Sequence, residues 1–336
     1  MNKRKIALII DTEGWAFDNI ARQLKKNLQE YDIDIIPGKI FEGNMIKLFI
    51  FCQDYDLIHF LWRGYISLLD REEMHNYIEE MGMSFEEFTQ RYILSKNITF
   101  SVCDELFLDG EEKWRTDEVM KYSNAYCVTS KRLYNIYKEF DKKPQMIIHD
   151  GVDLDKYIPV NLDRLKKVNH IVVGWTGNSK FKDSENDSDM KGVEGIIKPA
   201  IKELQEEGYD IELNLADRDI KMTPQEEMPK FYNSLDLYVC ASKTEGTPLT
   251  VIEAMAMGIP VISTNVGVVE EALGENGRKY ILEERSKEAL KYKIKNIIEN
   301  KHDFEILSKE NLERVKEWDW KKISKQYKEF FDSNMK

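Results

Sequence analysis

Short apolar segments rich in β-branched residues alternate along this chain with longer segments of helical periodicity, and the alternation occurs twice. This pattern is typical of βαβ units, which pack helices on both faces of a parallel sheet. The first set of predicted strands covers residues 5 to 11, 32 to 38, 56 to 62, 98 to 104, 125 to 130 and 145 to 152. The second set covers residues 170 to 177, 211 to 217, 235 to 242 and 259 to 264. The sequence therefore predicts an α/β protein with two Rossmann-like, doubly wound domains.

A polar segment without a clear period, DGVDLDKYIPVNLDRLKKVN, separates the two sets of strands. The length of 336 residues suits two domains of about 150 residues each. We predict an N-terminal domain at residues 1 to 157, a C-terminal domain at 158 to 317 and an amphipathic C-terminal helix at 318 to 336. Two such domains facing each other leave a central cleft, and ligands of doubly wound sheets bind outside the carboxyl ends of the strands.

Composition excludes several classes of protein. A net charge of -12 argues against nucleic acid as a main partner. No run of about 20 apolar residues is present, and the opening run IALII is too short for a signal peptide, so we expect it to be the first strand. The basic segment RQLKKNL is a candidate for weak contact with an anionic membrane. The cysteines lack CxxC spacing, which predicts reduced thiols and a cytoplasmic protein; they are Cys52, Cys103, Cys127 and Cys240.

The stretch TEGTPLTVIEAMAMGIPVIST contains two glutamates, Glu245 and Glu253, with seven residues between them. A helix is predicted inside it, with Thr247 as N-cap and Pro248 at the first helical position. A helix N-terminus that follows a glycine turn binds phosphate through free N–H groups, here those of Thr247, Leu249 and Thr250. The residues predicted to surround the phosphates are Gly246, Thr247, Pro248, Leu249 and Thr250.

The two carboxylates flank this predicted phosphate site. A carboxylate accepts two charge-assisted hydrogen bonds and is a natural partner for a pair of sugar hydroxyls. For Glu245 the alternative is a solvated turn residue, and for Glu253 an exposed helical glutamate, although apolar neighbours make an unpaired charge there costly. Phosphate in the middle with a sugar at each end indicates a nucleotide sugar.

The segment from Asp236 to Leu273 resembles the retaining glycosyltransferases of family four, which have the GT-B fold. HDGVDLDKY resembles the interdomain segment of that family, and GWTGNSK followed by MKG resembles its phosphate-binding stretch, which begins at Gly177. The resemblance implies that Glu245 meets the transferred sugar, that Glu253 meets the nucleotide ribose, and that Lys191 holds the diphosphate. It also implies that the C-terminal helix returns to the N-terminal domain and that no metal or other cofactor is required.

The chain departs from the family pattern at three places. Asn178 stands where the family has an arginine, and Lys180 is a candidate to supply the missing charge. Cys103 and Asp104 stand where His-Asp is common in the family, so Asp104 is a candidate catalytic residue in addition to Glu245 and Lys191. For Cys103, the alternative to a role in donor binding is that of a small buried packing residue. The N-terminal loop DTEGWAFDNIARQL has a single glycine, Gly14, and offers Trp15 as a stacking face for an acceptor.

The expected function is transfer of a sugar from a UDP-, GDP- or ADP-linked donor to a hydroxyl of a carbohydrate, lipid-linked or protein acceptor, in glycan, polysaccharide or glycolipid synthesis. Two alternatives remain: a nucleotide-sugar-binding module without turnover, and a nucleotide-sugar epimerase of related fold. The expected location is the cytoplasm, including the inner face of the membrane. NAD enzymes and P-loop kinases are disfavoured because neither GxGxxG nor GxxxxGK[ST] occurs.

Overall fold

The computed structural model of the protein describes residues 3–108, 110–160, 162–167, 169–181 and 189–335. The chain forms two compact units. The first unit comprises Met1–Asp150 and Trp320–Lys336, and the second unit comprises Gly151–Asp319. Each unit has its own parallel sheet, so the predicted α/β class is confirmed.

The first unit has a six-stranded parallel sheet in the order β2-β1-β3-β4-β5-β6. Its strands are β1 (Lys5–Ile10), β2 (Asp32–Pro37), β3 (Leu57–Phe60), β4 (Ile98–Val102), β5 (Ala125–Val128) and β6 (Met146–Ile147). Its α-helices before residue 150 are α1 (Ala16–Asn27), α2 (Met45–Phe51), α3 (Glu72–Glu80), α4 (Phe85–Thr89), α5 (Trp114–Lys121) and α6 (Lys131–Tyr137). All six strands lie within the predicted ranges.

The second unit has a five-stranded parallel sheet in the order β11-β10-β9-β7-β8. Its strands are β7 (Ile171–Gly177), β8 (Ile211–Asp217), β9 (Leu237–Cys240), β10 (Val261–Thr264) and β11 (Ile281–Leu282). Its α-helices are α7 (Lys198–Glu206), α8 (Met228–Asn233), α9 (Leu249–Ala256), α10 (Val269–Ala272), α11 (Glu275–Arg278), α12 (Lys287–Glu299) and α13 (His302–Arg314). The sequence pattern missed β11, whose two residues are followed directly by the charged residues Glu283, Glu284 and Arg285.

The C-terminal helix α14 (Trp320–Asn334) belongs to the first unit. Alternate residues of β1 point to opposite faces of the sheet, and Ile6 and Leu8 lie in the same buried cluster as Ile323 and Phe330 of α14. Burial of each such large apolar side chain stabilises the fold by about 1.5 to 3 kcal/mol. The helix is therefore part of the core that covers one face of this sheet.

His59 lies in the middle of β3 and is fully buried. Its Nδ1 lies 2.9 Å from Oγ1 of Thr99, and its Nε2 lies 3.1 Å from Oγ of Ser101. Its ring packs edge-on against Tyr327 and Phe331 of α14. Burial lowers the pKa of His59 to about 3, so the ring is neutral at ordinary pH. The residue is a core histidine with both ring nitrogens partnered.

The units divide between Asp150 and Gly151, somewhat before the boundary predicted at residue 157. The reason is that the N–H of Val152 donates to the carbonyl of Trp318 at 2.8 Å, and Val152 forms an isolated bridge with Asp319. Val152 and Tyr157 are both part of an apolar cluster of the second unit. Within the described ranges, no helix combines the length and the apolar character needed to cross a membrane.

Candidate functional site

A cation and a carboxylate meet where β9 ends in the second unit. Nζ of Lys191 donates to Oε1 of Glu245 at 2.5 Å, and the hydroxyl of Ser242 donates to the same oxygen at 2.7 Å. The two charged side chains keep 19% and 21% of their surface exposed. A pair that is mostly buried but still reachable can exchange its partners for those of a ligand. The structure therefore brings together two of the three predicted catalytic residues.

The backbone around Lys191 is held tightly against the end of β9. Gly192 has φ 71, and a Cβ atom there would lie 2.5 Å from the carbonyl oxygen of Ala241. Arg285 fastens the same turn, because its Nε donates to the Ala241 carbonyl at 2.9 Å and its Nη2 to the Asp189 carbonyl at 2.5 Å. Arg285 was not predicted, because no motif surrounds it in the sequence. Its role is to fix the position from which Lys191 reaches Glu245.

Helix α9 begins one residue later than predicted. Its N-cap is Pro248, with φ -71 and ψ 81, and no side chain caps it, so the prediction of Thr247 as N-cap is wrong. Those angles are close to those of an inverse γ-turn, and the N–H of Leu249 accordingly donates to the Thr247 carbonyl at 2.8 Å. The N–H of Leu249 is thus not a free donor, contrary to the prediction.

Other donors remain at this helix start. Among the residues that the structure describes, the backbone N–H groups of Thr247 and Thr250 have no hydrogen-bond partner. Oγ1 of Thr247 is also buried without one. At the other end, Gly258 has φ 67 and its N–H donates to the Met255 carbonyl, which is typical of the glycine that follows a helix. The N-terminus of α9 thus keeps two of the three predicted N–H donors.

Glu253 lies one turn into α9, and both of its carboxylate oxygens are partnered. The hydroxyl of Tyr157 donates to Oε1 at 2.5 Å, and the hydroxyl of Tyr232 donates to Oε2 at 2.7 Å. Burial raises the pKa of Glu253 above its usual value, and the two hydrogen bonds and the charge of Lys156 oppose that rise only in part. The tyrosines therefore compensate a carboxylate in an apolar helix. Neither tyrosine was predicted, because both are distant from Glu253 in sequence.

The predicted phosphate-binding turn follows β7, which ends at Gly177. Asn178 is exposed, and its Oδ1 accepts a hydrogen bond from the N–H of Lys180 at 3.0 Å. The ammonium group of Lys180 forms an ion pair with Asp219 at 2.7 Å. The ring of Phe181 lies 5.2 Å from Nζ of Lys191, so this turn reaches the pair of Lys191 and Glu245. Lys180 itself is directed to Asp219.

Asp104 and Cys103 follow β4 in the first unit. Oδ1 of Asp104 accepts hydrogen bonds from Nη2 of Arg63 at 2.6 Å and from the N–H of Leu106 at 3.0 Å. Arg63 is only 2% exposed and was not predicted, although it follows a strand in the sequence WRG. Burial, and then the charge of Asp104, raise the pKa of the Cys103 thiol well above its usual value. The thiol is therefore protonated, as expected of a packing residue.

Gly14 and Trp15 lie in the loop before α1, also in the first unit. Gly14 has φ 75, and its N–H donates to Oδ2 of Asp18 at 2.8 Å. Trp15 is the N-cap of α1 and is 50% exposed, which leaves an aromatic surface open to solvent. The buried carboxylate of Asp18, missed in the sequence, shapes this loop. The acceptor role of Gly14 and Trp15 stays a prediction.

Part of this chain is similar to known glycosyltransferases. Residues 211–314, which include β9, Glu245 and α9, match the family model for glycosyl transferases group 1. A lipopolysaccharide core biosynthesis mannosyltransferase of Rhizobium meliloti is 44% identical over 57 residues, 17% of this chain and 16% of that protein. A probable sucrose-phosphate synthase of Thermosipho melanesiensis is 30% identical over 254 residues, 65% of this chain and 58% of that protein. The matches thus span less than two thirds of the length of these relatives.

Solved structures resemble the whole chain. Anabaena HepE in complex with UDP and glucose has a TM-score of 0.69 at 14% identity, and covers 98% of this chain and 100% of its own. Sucrose-phosphate synthase from Thermosynechococcus elongatus has a TM-score of 0.67 at 16% identity, with coverage of 98% and 99%. At such low identity the likeness shows the fold alone. The predicted GT-B class, with two Rossmann-like domains, is confirmed.

Proposed function

We propose that this chain, a member of the glycosyl transferases group 1 family, transfers a sugar from a nucleoside diphosphate sugar to an acceptor hydroxyl and retains the anomeric configuration of that sugar. The observation that carries the proposal is the contact of 2.5 Å between Lys191 and Glu245 beside the start of α9. Cleavage of the bond between sugar and diphosphate needs a cation for the leaving group and hydrogen-bond acceptors for the sugar, side by side.

Each part of the donor has a partner in this arrangement. Lys191 and the N–H groups of Thr247 and Thr250 bind the diphosphate, because a cation and free helix donors both favour negative charge. Glu245 accepts hydrogen bonds from hydroxyls of the transferred sugar. Glu253 accepts hydrogen bonds from the ribose hydroxyls. The charge that develops on the leaving phosphate oxygen is stabilised electrostatically, which is the main catalytic contribution.

The proposed step breaks the bond between the anomeric carbon and the phosphate oxygen, and the electron pair leaves with the diphosphate. The acceptor oxygen forms its bond to the anomeric carbon from the face that the diphosphate leaves. The proton of the acceptor hydroxyl passes to the departing phosphate oxygen. Attack from that face accounts for retention of configuration without a covalent enzyme intermediate.

The substrate classes are proposed from chemistry and from relatives. Similar structures hold UDP with glucose and ADP with acarbose, so UDP, ADP and GDP sugars are the donors to examine. Relatives named for lipopolysaccharide core and O-antigen synthesis support a carbohydrate or lipid-linked acceptor in glycan, polysaccharide or glycolipid synthesis. Trp15 and Asp104 of the first unit are the candidate acceptor-side residues. We place the enzyme in the cytoplasm, at the inner face of the membrane where the acceptor is lipid-linked.

A nucleotide panel tests the proposal. UDP, GDP, ADP and their glucose and mannose conjugates are titrated against the full chain, with thermal unfolding and calorimetry as readouts. One nucleoside diphosphate at a hundredfold excess over its dissociation constant stabilises the chain by about 2.7 kcal/mol. NMR of the product then gives the anomeric configuration. Absence of binding by the whole panel contradicts the proposal, and an inverted product contradicts retention.

Activity without a divalent metal is a separate part of the proposal. Lys191 and the helix donors supply positive charge at the diphosphate, so no metal ion is needed to neutralise it. Turnover is expected to continue in excess EDTA. Complete loss that magnesium or manganese restores would show that the protein charges are insufficient.

A binding module without turnover is the second candidate function. The ion pair between Lys180 and Asp219 favours it, because Lys180 then binds a protein carboxylate and not the diphosphate. No cation then replaces the arginine that the family has at the position of Asn178. Release of free nucleoside diphosphate distinguishes the two functions. An enzyme releases it in proportion to glycosylated product, whereas a binding module returns the intact donor.

A further inference from the structure

Glu253 is held by two tyrosines that come from different parts of the second unit. Tyr232 lies in α8 and is fully buried, and Tyr157 precedes the sheet of this unit and is 4% exposed. Their rings meet edge-on with centroids 6.0 Å apart, and the ring of Tyr232 also lies 5.8 Å from that of Tyr238. Nε2 of Gln225 donates to the hydroxyl oxygen of Tyr157 at 3.1 Å. The two hydroxyl groups that reach Glu253 are therefore fixed by packing.

We propose that Tyr157 and Tyr232 are positioning residues that orient the carboxylate of Glu253 toward the two neighbouring hydroxyls of a ribose, and so determine a preference for ribonucleotides over deoxyribonucleotides. This inference rests on the proposed function. It adds two residues, far apart in sequence, to the nucleotide-binding machinery and assigns them a role in specificity.

The hydrogen-bonding capacity of a carboxylate supports this role. An ionised carboxylate has two oxygens with about four acceptor positions in total. Each tyrosine takes one position on a different oxygen, which leaves one position on each oxygen for a ligand hydroxyl. Rotation about the last side-chain bond of a glutamate is otherwise broad. Two donors on opposite oxygens fix that rotation and make the carboxylate ready to accept from a diol.

The burial of the site makes the orientation matter for binding. A ribose that donates two hydrogen bonds to Glu253 adds to the stabilisation that the two tyrosines, Lys156 and Gln225 give this carboxylate. A deoxyribose leaves one of the remaining acceptor positions empty. Hydrogen bonds to charged groups are the ones whose loss weakens binding most, by roughly tenfold or more. The preference should therefore depend on how well the carboxylate is aligned.

The test compares ribose and deoxyribose forms of one nucleotide in conservative variants. The best binder of UDP, GDP and ADP is titrated by calorimetry beside its 2′-deoxy form. The native chain is expected to prefer the ribose form by roughly tenfold or more. Tyr157→Phe and Tyr232→Phe are expected to reduce that preference to about twofold while keeping the fold. Gln225→Ala, at an exposed residue that donates to the Tyr157 hydroxyl and also interacts with the carboxylate of Glu253, should reduce it less than the tyrosine variants do.

Tyr280→Phe is the matched control. Its hydroxyl also donates to a carboxylate at 2.5 Å, that of Asp303, and the residue is 5% exposed in the same unit. This variant should keep the native ribose preference. The thermal unfolding of all the variants shows whether they are folded.

The possible outcomes separate the inference from the proposed function. If none of the three diphosphates binds the native chain, the proposed function fails and the inference fails with it. If the native chain binds a diphosphate but does not prefer the ribose form, only the inference fails. If the folded tyrosine variants and Gln225→Ala keep the full preference, the tyrosines merely stabilise the helix, and the inference is overturned.

Discussion

Lys191 and Glu245 form an ion pair of 2.5 Å in which each side chain keeps about a fifth of its surface exposed. Lys191 and Glu245 lie in two different loops. The close packing of Gly192 and a hydrogen bond from Arg285 hold the Lys191 turn against the end of β9. Without a ligand, the two charges satisfy each other. In the proposed function, a diphosphate sugar exchanges this contact for phosphate oxygens on Lys191 and sugar hydroxyls on Glu245, so neither charge is left unpaired during binding.

The first prediction compares two lysines near the proposed diphosphate. Lys191→Met removes the cation that contacts Glu245, and the affinity for the free nucleoside diphosphate is expected to fall by roughly ten- to a hundredfold. Lys180→Met is the matched control, because Lys180 pairs with Asp219 and is largely exposed. Its effect is expected to stay within about threefold, as for an exposed ion pair. Calorimetric titration of both variants measures the difference.

The same comparison shows whether Lys180 binds the diphosphate, a role that the sequence left open. A loss of affinity in Lys180→Met as large as that in Lys191→Met would mean that Lys180 leaves Asp219 to bind phosphate. Lys180 would then supply the positive charge that the family has at the position of Asn178.

The second prediction concerns His59 and the acid stability of the first unit. Burial lowers the pKa of His59 to about 3 in the folded chain, against about 6.5 when unfolded. Between these values the unfolded state binds a proton that the folded state does not, so the contribution of His59 to stability is present above pH 6.5 and is lost as pH falls. The free energy of unfolding should decrease by at most about 1.4 kcal/mol per pH unit from this residue.

Replacement of His59 tests this pH dependence. His59→Gln keeps hydrogen-bonding groups near Thr99 and Ser101 but does not titrate, so the slope of stability between pH 6.5 and pH 4 should become shallower even though the variant is less stable. His302→Gln, at an exposed position in α13, should keep the native slope. Urea unfolding at several pH values gives both slopes. Equal slopes in the native chain and His59→Gln would show that the buried ring does not control acid stability.

The sequence predicted the sheets well because both are parallel and their inner strands are buried on both faces. Their strands read as short apolar runs, as in Ile6–Ile10, and the ends of those runs coincide with loops. The pattern missed β11, which is only two residues long, and misplaced the N-cap of α9. That error arose because residues flanking a proline can form a γ-turn as readily as a cap, and no local signal separates the two.

The candidate site was predictable only where its residues lie in a motif. Glu245 and Lys191 are recognisable because each precedes a glycine in a loop after a strand, and Glu253 is recognisable because seven residues separate it from Glu245. Tyr157 and Tyr232 reach Glu253 across 96 and 21 residues, and Arg285 reaches the Asp189 carbonyl across 96. One sequence carries no record of such contacts, because they depend on how the helices pack. The signal that was available was a buried charge at Glu253, which required partners of some kind.

The third prediction concerns Cys103. Burial and the charge of Asp104 raise the pKa of its thiol, so little thiolate is present near neutral pH, and thiolate is the reactive form. Cys103→Ser should keep most of the turnover with the donor and lose some thermal stability. Modification of the native chain by iodoacetamide at pH 7.5, followed by peptide mass spectrometry, should be slow at this residue. A large fall in turnover at unchanged stability would assign Cys103 to the reacting substrate instead.

The last prediction separates the two glutamates, which are proposed to touch different ends of one donor. Glu253→Ala removes the ribose contact, which changes little as the glycosidic bond breaks, so it should weaken the binding of donor and of free nucleoside diphosphate alike. It also leaves the buried hydroxyls of Tyr157 and Tyr232 without their acceptor, and thermal stability should fall. Glu245→Ala removes a group beside the developing positive charge, so turnover should fall more than nucleotide affinity.

Both losses should be roughly ten- to a hundredfold, in different measured quantities. Calorimetry with the free diphosphate gives the affinities, and steady-state kinetics with the sugar donor gives the turnover. Because Glu245 pairs with Lys191, Glu245→Gln is the control that keeps a hydrogen-bond acceptor for that lysine while removing the charge. If Glu245→Ala and Glu245→Gln lose diphosphate affinity as severely as Glu253→Ala, the donor does not bind with its sugar at Glu245, and the proposed orientation along α9 is wrong.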